Sequence, residues 1–204
     1  MGRLEALLQG RLRMGRGIRS AGDAHSLVIG SVAVTVAQLS VGGLYALTSL
    51  YLVRTLSTPE YGRAAFGIYI YTLLQAVAGL GLGTGVLAEV ARGRTSRDVA
   101  WATVHALLWV RLLTIVPVLL IGFGWAAMSG NVLPAMASVI AATAIVADFL
   151  IGVLAGGLRT RAYVLVTLCQ PASFLALLLL LRVGTAESAL IALGSALALS
   201  VLLA

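Results

Sequence analysis

The sequence predicts an all-α polytopic membrane protein built as a bundle of six transmembrane helices. Hydrophobic residues make up 60% of the 204 positions and charged residues only 10%, against roughly 25% charged in an ordinary soluble domain. The apolar residues fall into six stretches, each near the length of about 20 residues that a helix needs to cross the bilayer. A transmembrane barrel would show alternating segments of about ten residues instead. The composition therefore excludes a soluble globular protein.

The chain divides into a basic arm and a membrane domain. Residues 1–26 carry five arginines among leucines and are interpreted as an amphipathic cytosolic arm. The apolar stretch that follows is too long for the core of a cleavable signal peptide. Residues 27–204 form the predicted six-helix lobe. Its predicted spans are 27–53, 64–91, 100–128, 132–155, 163–181 and 188–204.

The distribution of arginine predicts the orientation of the spans. All 14 basic residues are arginine, and most of them lie between the spans. With the N-terminus inside, ten arginines fall on the cytosolic side, and Arg54, Arg63 and Arg182 on the other. Basic residues are retained on the cytosolic side, so both termini are expected in the cytosol and the protein in the cytoplasmic (inner) membrane. No aromatic interleaving accompanies the arginines, which argues against a nucleic-acid partner.

Polar residues within the first two spans are candidates for a substrate path, because polar groups are costly in the bilayer. In the first span they recur at spacings of four and three, which places them on one helical face. The members of this face are Ser31, Thr35, Gln38, Gly42, Tyr45 and Ser49. Such a face lines a cavity or forms a small-residue packing seam, and Gln38 and Tyr45 favour the cavity. In the second span Gln75 shares a face with Tyr71 and joins the candidates.

Two charged residues lie deep in the third and fourth spans. Arg111 is expected at a depth of about 16 Å and Asp148 at about 13 Å from the cytosolic side, at the rise of an α-helix. The two spans form an antiparallel hairpin, so the two side chains can pair. One hypothesis is a static ion pair that fixes helix register. The other is that Arg111 binds a phosphate or sugar acid, since its planar fork binds phosphate oxygens bidentately, and that Asp148 holds it or takes part in ion coupling.

Two segments resemble the opening of a known family. Residues 51–62 read YLVRTLSTPEYG and residues 79–92 read GLGLGTGVLAEVAR. They resemble Wzx-type polysaccharide biosynthesis flippases, in which a long span is followed by an "aR.L.p.eyG" turn and then by a span ending in "lGl..al.r..a". The turn is matched by Arg54, Leu56, Pro59, Glu60, Tyr61 and Gly62. The second element is matched by Gly81 and Leu82, with Glu89 and Arg92 near its cytosolic exit.

The resemblance implies a fold, a function and partners. These flippases belong to the multidrug/oligosaccharidyl-lipid/polysaccharide (MOP) exporter superfamily, whose MATE-like fold places two six-helix lobes around a central cavity. It implies alternating-access movement of a lipid-linked oligosaccharide across the membrane, driven by a coupling ion such as H⁺ or Na⁺, with no other cofactor. Six spans correspond to the N-terminal lobe alone. Together with the last span, which lacks a polar anchor, this suggests a fragment or a short form that works with a second lobe or as a parallel homodimer.

Two other classes of protein are alternatives to a transporter. An integral-membrane enzyme would carry paired aspartates, a GxSG serine or a glutamate pair with metal-binding histidines, and the sequence has none of these motifs. It also has one cysteine, Cys169, and hence no disulfide or CxxC site. The expectation is a protein that is not an enzyme and holds no metal. A membrane module that only packs against partner helices remains the main alternative to a transporter.

Overall fold

The computed structural model describes residues 21–79, 97–156 and 160–204, and these form six α-helices. We number them in chain order: α1 Ala21–Thr55, α2 Thr58–Gly79, α3 Arg97–Ser129, α4 Leu133–Gly156, α5 Thr160–Leu181 and α6 Ala186–Leu203. The described ranges contain no β-strand. This confirms the all-α fold class predicted from composition and span length.

Five of these helices are long and apolar enough to cross a membrane. The qualifying segments are Ser31–Thr55, Val104–Ser129, Leu133–Ala155, Arg161–Leu181 and Ala186–Leu203. Many large apolar side chains on them are exposed, among them Leu39, Leu120 and Leu180, because in a membrane the outer face of a bundle contacts lipid. The chain is therefore a polytopic membrane protein. The predicted second span, 64–91, is described as helix as far as Gly79, and the first 20 residues of the predicted arm lie outside the described ranges.

The chain divides into two compact units, Met1–Val36 and Ala37–Ala204. In the first unit, the hydroxyl of Thr35 donates to the carbonyl of Ser31 at 3.0 Å, and both side chains are exposed.

Helix α4 lies at the centre of the second unit, packed against α2, α3, α5 and α6. Small residues permit this, because membrane helices associate through close van der Waals contact rather than through the hydrophobic effect. Ala137, Ser138, Ala141 and Ala144 of α4 are all buried. A Cβ on Gly122 of α3 would meet the Ser138 side chain and stand 2.8 Å from the Pro134 carbonyl oxygen. Only glycine therefore allows α3 and α4 to approach this closely.

Helices α3 and α4 form the predicted antiparallel hairpin. The turn contains Gly130 with φ 63°, a left-handed conformation that glycine adopts without strain. The Asn131 side chain then accepts the backbone N–H of Leu133 at 3.0 Å, which satisfies one of the free donors at the start of α4. The hairpin brings the deep charges of the third and fourth spans to adjacent helices.

Candidate functional site

Arg111 of α3 is the only charged residue that is buried within the part of the chain whose side chains are described, with 3% of its surface exposed. Its Nη1 donates to the backbone carbonyl of Ile145 on α4 at 2.8 Å. Its Nε is buried and has no hydrogen-bond partner. Buried polar groups in native proteins nearly always have partners, so this unpartnered donor needs an explanation.

Asp148 of α4 lies one turn beyond Ile145 and binds a different helix. Its Oδ2 accepts from Nε2 of Gln75 on α2 at 2.9 Å. Arg111 and Asp148 interact electrostatically, but among the described residues the ion pairs within 4.0 Å are those of Arg63 with Glu60 and Glu187. The direct Arg111–Asp148 contact that the predicted depths allow is therefore not formed. Depth places the residues at similar levels, but α4 packs on both α2 and α3, and the Asp148 side chain binds α2 rather than α3.

Two tyrosines complete the surroundings of Asp148. Tyr45 of α1 and Tyr71 of α2 both interact electrostatically with its carboxylate. Tyr71 is one helical turn from Gln75, on the face already noted in the sequence. We call Tyr45, Tyr71, Gln75, Arg111 and Asp148 the polar cluster. Four helices contribute to it, and four of its five members are residues that the sequence predicts as site candidates.

Gln38 and Tyr45, the other candidates on α1, bind α5. Nε2 of Gln38 donates to the hydroxyl oxygen of Tyr163 at 3.0 Å, and Nε2 of Gln170 donates to that of Tyr45 at 2.9 Å. Tyr163 and Gln170 were not predicted as site residues. The signal was available as a spacing, since each helix carries one glutamine and one tyrosine seven residues apart. Recognising it requires knowing that α1 and α5 are neighbours.

The alternative interpretation of the α1 face, a close-packed seam of small residues, is not what the structure forms at Gly42. No atom lies within 4 Å of the point where a Cβ on Gly42 would stand. Ser49 and Gly42 are both exposed.

Glu60, from the turn that resembles the flippase family, joins the N-terminal ends of α2 and α6. Its Oε2 accepts the backbone N–H of Ala186 at 2.7 Å and its Oε1 accepts from Nη1 of Arg63 at 2.8 Å. Arg63 also pairs with Glu187. We call Glu60, Arg63, Ala186 and Glu187 the outer clamp. The Ala186 N–H and the Arg63 guanidinium hold the pKa of the Glu60 carboxyl below its ordinary value.

The remaining residues of the family pattern have structural positions or lie outside the described part of the chain. Pro59 is the second residue of α2, where its missing N–H costs nothing. Tyr61 is half-buried against the apolar core, and Arg54 is exposed in the last turn of α1. A Cβ on Gly62 would meet nothing within 4 Å, so packing does not require glycine there. Gly81, Glu89 and Arg92 lie outside the described residues.

The polar cluster combines one guanidinium, one carboxylate, one amide and two phenols in an apolar bundle. Among the described residues no group of three histidines, cysteines or carboxylates lies close enough to hold a metal ion. The side chains of the polar cluster offer hydrogen bonding and charge. No protein-family model, curated protein or solved structure matches the chain. The fold and the cluster define a class, an α-helical membrane protein with a partly buried polar cluster between its helices.

Proposed function

We propose that the chain is a flippase, or the N-terminal lobe of one, which moves a lipid-linked oligosaccharide across the cytoplasmic membrane by alternating access. The observation that supports this most is Arg111, a buried guanidinium with an unpartnered Nε in the middle of a membrane-spanning helix. Ionisable groups inside membranes are costly and usually serve a pathway or a ligand. The similarity of residues 51–62 to the flippase turn supports the choice of substrate class.

Arg111 suits the phosphate of a lipid-linked sugar for a chemical reason. Its Nη1 is held by the Ile145 carbonyl, which fixes the direction of the guanidinium, while Nε remains available as a donor. Guanidinium groups bind phosphate oxygens through paired N–H bonds. Asp148, held by Gln75, balances the positive charge when no substrate is bound and is the group best placed to respond to a coupling ion such as H⁺ or Na⁺.

The same proposal covers the topology of the chain and the second half of the transporter. Both termini face the cytosol, and the other wall of the substrate path is supplied by a second lobe or by a second copy in a parallel homodimer. A parallel arrangement suits a chain of one fixed orientation, because an axis along the membrane normal relates the copies. Purified protein that is monomeric in detergent and inactive in vesicles would exclude the homodimer and leave the second-lobe form.

Transport by Arg111 variants tests the proposal. Protein in vesicles of phosphatidylethanolamine and phosphatidylglycerol would be assayed for flipping of a lipid-linked oligosaccharide with a fluorescent sugar, quenched from outside. We expect Arg111→Ala to lower the rate by roughly tenfold or more, since a charge-assisted bond contributes about 1.5–3 kcal/mol. Arg182→Ala, an exposed arginine outside the cluster, should transport at the wild-type rate. Wild-type flipping by Arg111→Ala would refute the role of Arg111.

One observation favours the second candidate, a module that only packs with partner helices. Each hydrogen bond described for the side chains of the cluster joins one helix to another, as a purely structural network would. In that case Arg111→Ala would lower the unfolding temperature in detergent, and neither the wild-type protein nor any variant of the cluster would transport. Measuring both quantities on the same preparations separates the two functions.

A further inference from the structure

The threonine side chains inside the described helices share a pattern from which Thr167 departs. Most of them donate their hydroxyl to a carbonyl about one turn earlier in the same helix, as threonine commonly does. These are Thr35, Thr48, Thr55, Thr72, Thr114 and Thr143. Thr167 of α5 differs, because its Oγ1 is buried and has no hydrogen-bond partner. Its hydroxyl therefore does not use the acceptor that its own helix offers, the carbonyl of Tyr163.

The backbone of Thr167 also lacks its usual partner. In an α-helix a carbonyl accepts the N–H of the residue four positions later, which here is Pro171, inside α5. Proline has no N–H, so this bond is missing. The hydroxyl of Ser173 donates instead to the carbonyls of Cys169 and Gln170, at 2.6 and 3.1 Å. The hydroxyl and the carbonyl of Thr167 thus both lack the partners that a helix normally supplies.

Thr167 lies at a depth where bulk water does not satisfy such groups. It is six residues into the span Arg161–Leu181, about 9 Å along the helix axis, and Pro171 one turn further on is fully buried. A hydroxyl or a carbonyl that is left unsatisfied in such a place is costly. The two groups of Thr167 therefore call for a ligand that can both accept and donate a hydrogen bond.

The polar side chains beside Thr167 on α5 are neutral. Tyr163 and Gln170 lie four residues before it and three after it, on the same side of the helix. Both bind α1, since Gln38 donates to the hydroxyl of Tyr163 and Gln170 donates to that of Tyr45. Each phenol accepts in these bonds, and its own O–H can still donate. Neutral donors and acceptors suit a buried water, which typically makes about three hydrogen bonds, whereas a cation takes many oxygen ligands.

We propose that Thr167 holds a buried water molecule, which accepts the O–H of Thr167 and donates to the Thr167 carbonyl. The water takes the place of the missing Pro171 N–H, and the hydroxyls of Tyr45 and Tyr163 are the further donors beside it. Ordered waters and threonine side chains are among the groups that satisfy a backbone freed by proline in membrane helices. The site stabilises α5 in the segment that binds α1, whichever of the two candidate functions the chain has.

Removal of the hydroxyl tests the proposal through the sign of its effect. Thr167→Val keeps the β-branched shape of the side chain and removes its bond to the water. We expect it to lower the melting temperature in detergent by about 2–4 °C, the effect of losing one hydrogen bond in a chain of this size. Without a bound water, the same variant would remove an unsatisfied polar group and would melt at or above the wild-type temperature. Thr167→Ser keeps the hydroxyl and should retain the water.

X-ray hydroxyl-radical footprinting detects the water itself, because radiolysis of a bound water labels the side chains next to it. In phosphatidylethanolamine and phosphatidylglycerol vesicles, the buried Pro171 should be labelled in the wild-type protein and in Thr167→Ser. Its labelling should fall to the background of other buried residues in Thr167→Val. Thr48→Val is the matched control, since Thr48 is also buried but donates within α1 to the carbonyl of Leu44 at 2.8 Å. It should leave the labelling of Pro171 unchanged.

A second substitution tests whether the hydroxyl and the carbonyl share one water. Pro171→Ala gives the Thr167 carbonyl an N–H and so removes one partner of the water. The loss of melting temperature caused by Thr167→Val should therefore be smaller in this background, and an equal loss would overturn the shared site.

Three further results would overturn the proposal. They are an unlabelled Pro171 in the wild-type protein, undiminished labelling in Thr167→Val, and a Thr167→Val protein that melts at or above the wild-type temperature. None of these measurements involves transport, so they are independent of the role proposed for Arg111.

Discussion

Arg182 ends α5 in the left-handed region of backbone conformation, with φ 46°. The N–H of Val183 reaches back to the carbonyl of Leu178 at 3.5 Å, and the Val183 side chain is buried. This is the pattern of a Schellman cap, in which glycine normally occupies the left-handed position. An L-residue there carries a steric cost of about 1–2 kcal/mol.

Replacing this arginine should therefore stabilise the protein. We expect Arg182→Gly to raise the free energy of unfolding by about 0.5–1 kcal/mol, because relief of strain is partly offset by the greater freedom of glycine in the unfolded chain. Gly130→Ala makes the opposite change at the other left-handed position, φ 63°, and should destabilise. Thermal unfolding in detergent measures both. A lower melting temperature for Arg182→Gly would mean that the arginine side chain contributes more to stability than its left-handed backbone conformation costs.

At the scale of helices, the Glu60 carboxylate of the outer clamp interacts with the starts of two helices, α2 and α6. Glu60 lies in the first turn of α2, where negative charge is favourable, and it also accepts the first free N–H of α6 at Ala186. Thr185 and Ser188 cap the same end of α6 with a capping box. The donors at this helix start are thus satisfied partly from within α6 and partly by α2.

The clamp predicts a pH dependence of stability. The pKa of Glu60 is lowered in the folded protein, so its contribution is complete above the unfolded value of about 4.3 and is lost as the pH falls through the lower folded value. Glu60→Gln should melt at a lower temperature than wild type at pH about 7, and the difference should shrink toward pH about 3. Glu187→Gln leaves the Ala186 bond in place and should retain most of the dependence. Equal slopes for wild type and Glu60→Gln would contradict this assignment.

Sequence reasoning was accurate for helices and less so for the neighbours of particular side chains. Hydropathy and length predict the helices because the bilayer imposes both. The rise per residue predicts that Arg111 and Asp148 lie deep in adjacent helices. It does not specify the direction of a side chain around the helix axis, and so Ile145 and Gln75 were missed as their partners. Tyr163 and Gln170 were missed because their significance depends on which helix lies beside α5.

At the scale of the whole molecule, arginine predicts orientation. Ten arginines on one side against three on the other predict cytosolic termini. The structure shows which residues are exposed, and cysteine labelling at such residues tests this prediction. In a Cys169→Ala background, a membrane-impermeant maleimide applied to intact cells should label Gly184→Cys and should not label Ala102→Cys, both at exposed positions. Permeabilised cells should label both. Labelling of Ala102→Cys in intact cells would reverse the orientation.

The outer clamp also bears on the order in which the chain assembles. The acceptor, Glu60, is synthesised 126 residues before the N–H of Ala186 that it binds. When α6 enters the membrane, the group that satisfies its first donor is therefore already present at the start of α2. Only an insertion that brings the starts of α2 and α6 to the same side of the bilayer completes the bond. The clamp thus stabilises the orientation of α6 in which its start lies beside the start of α2.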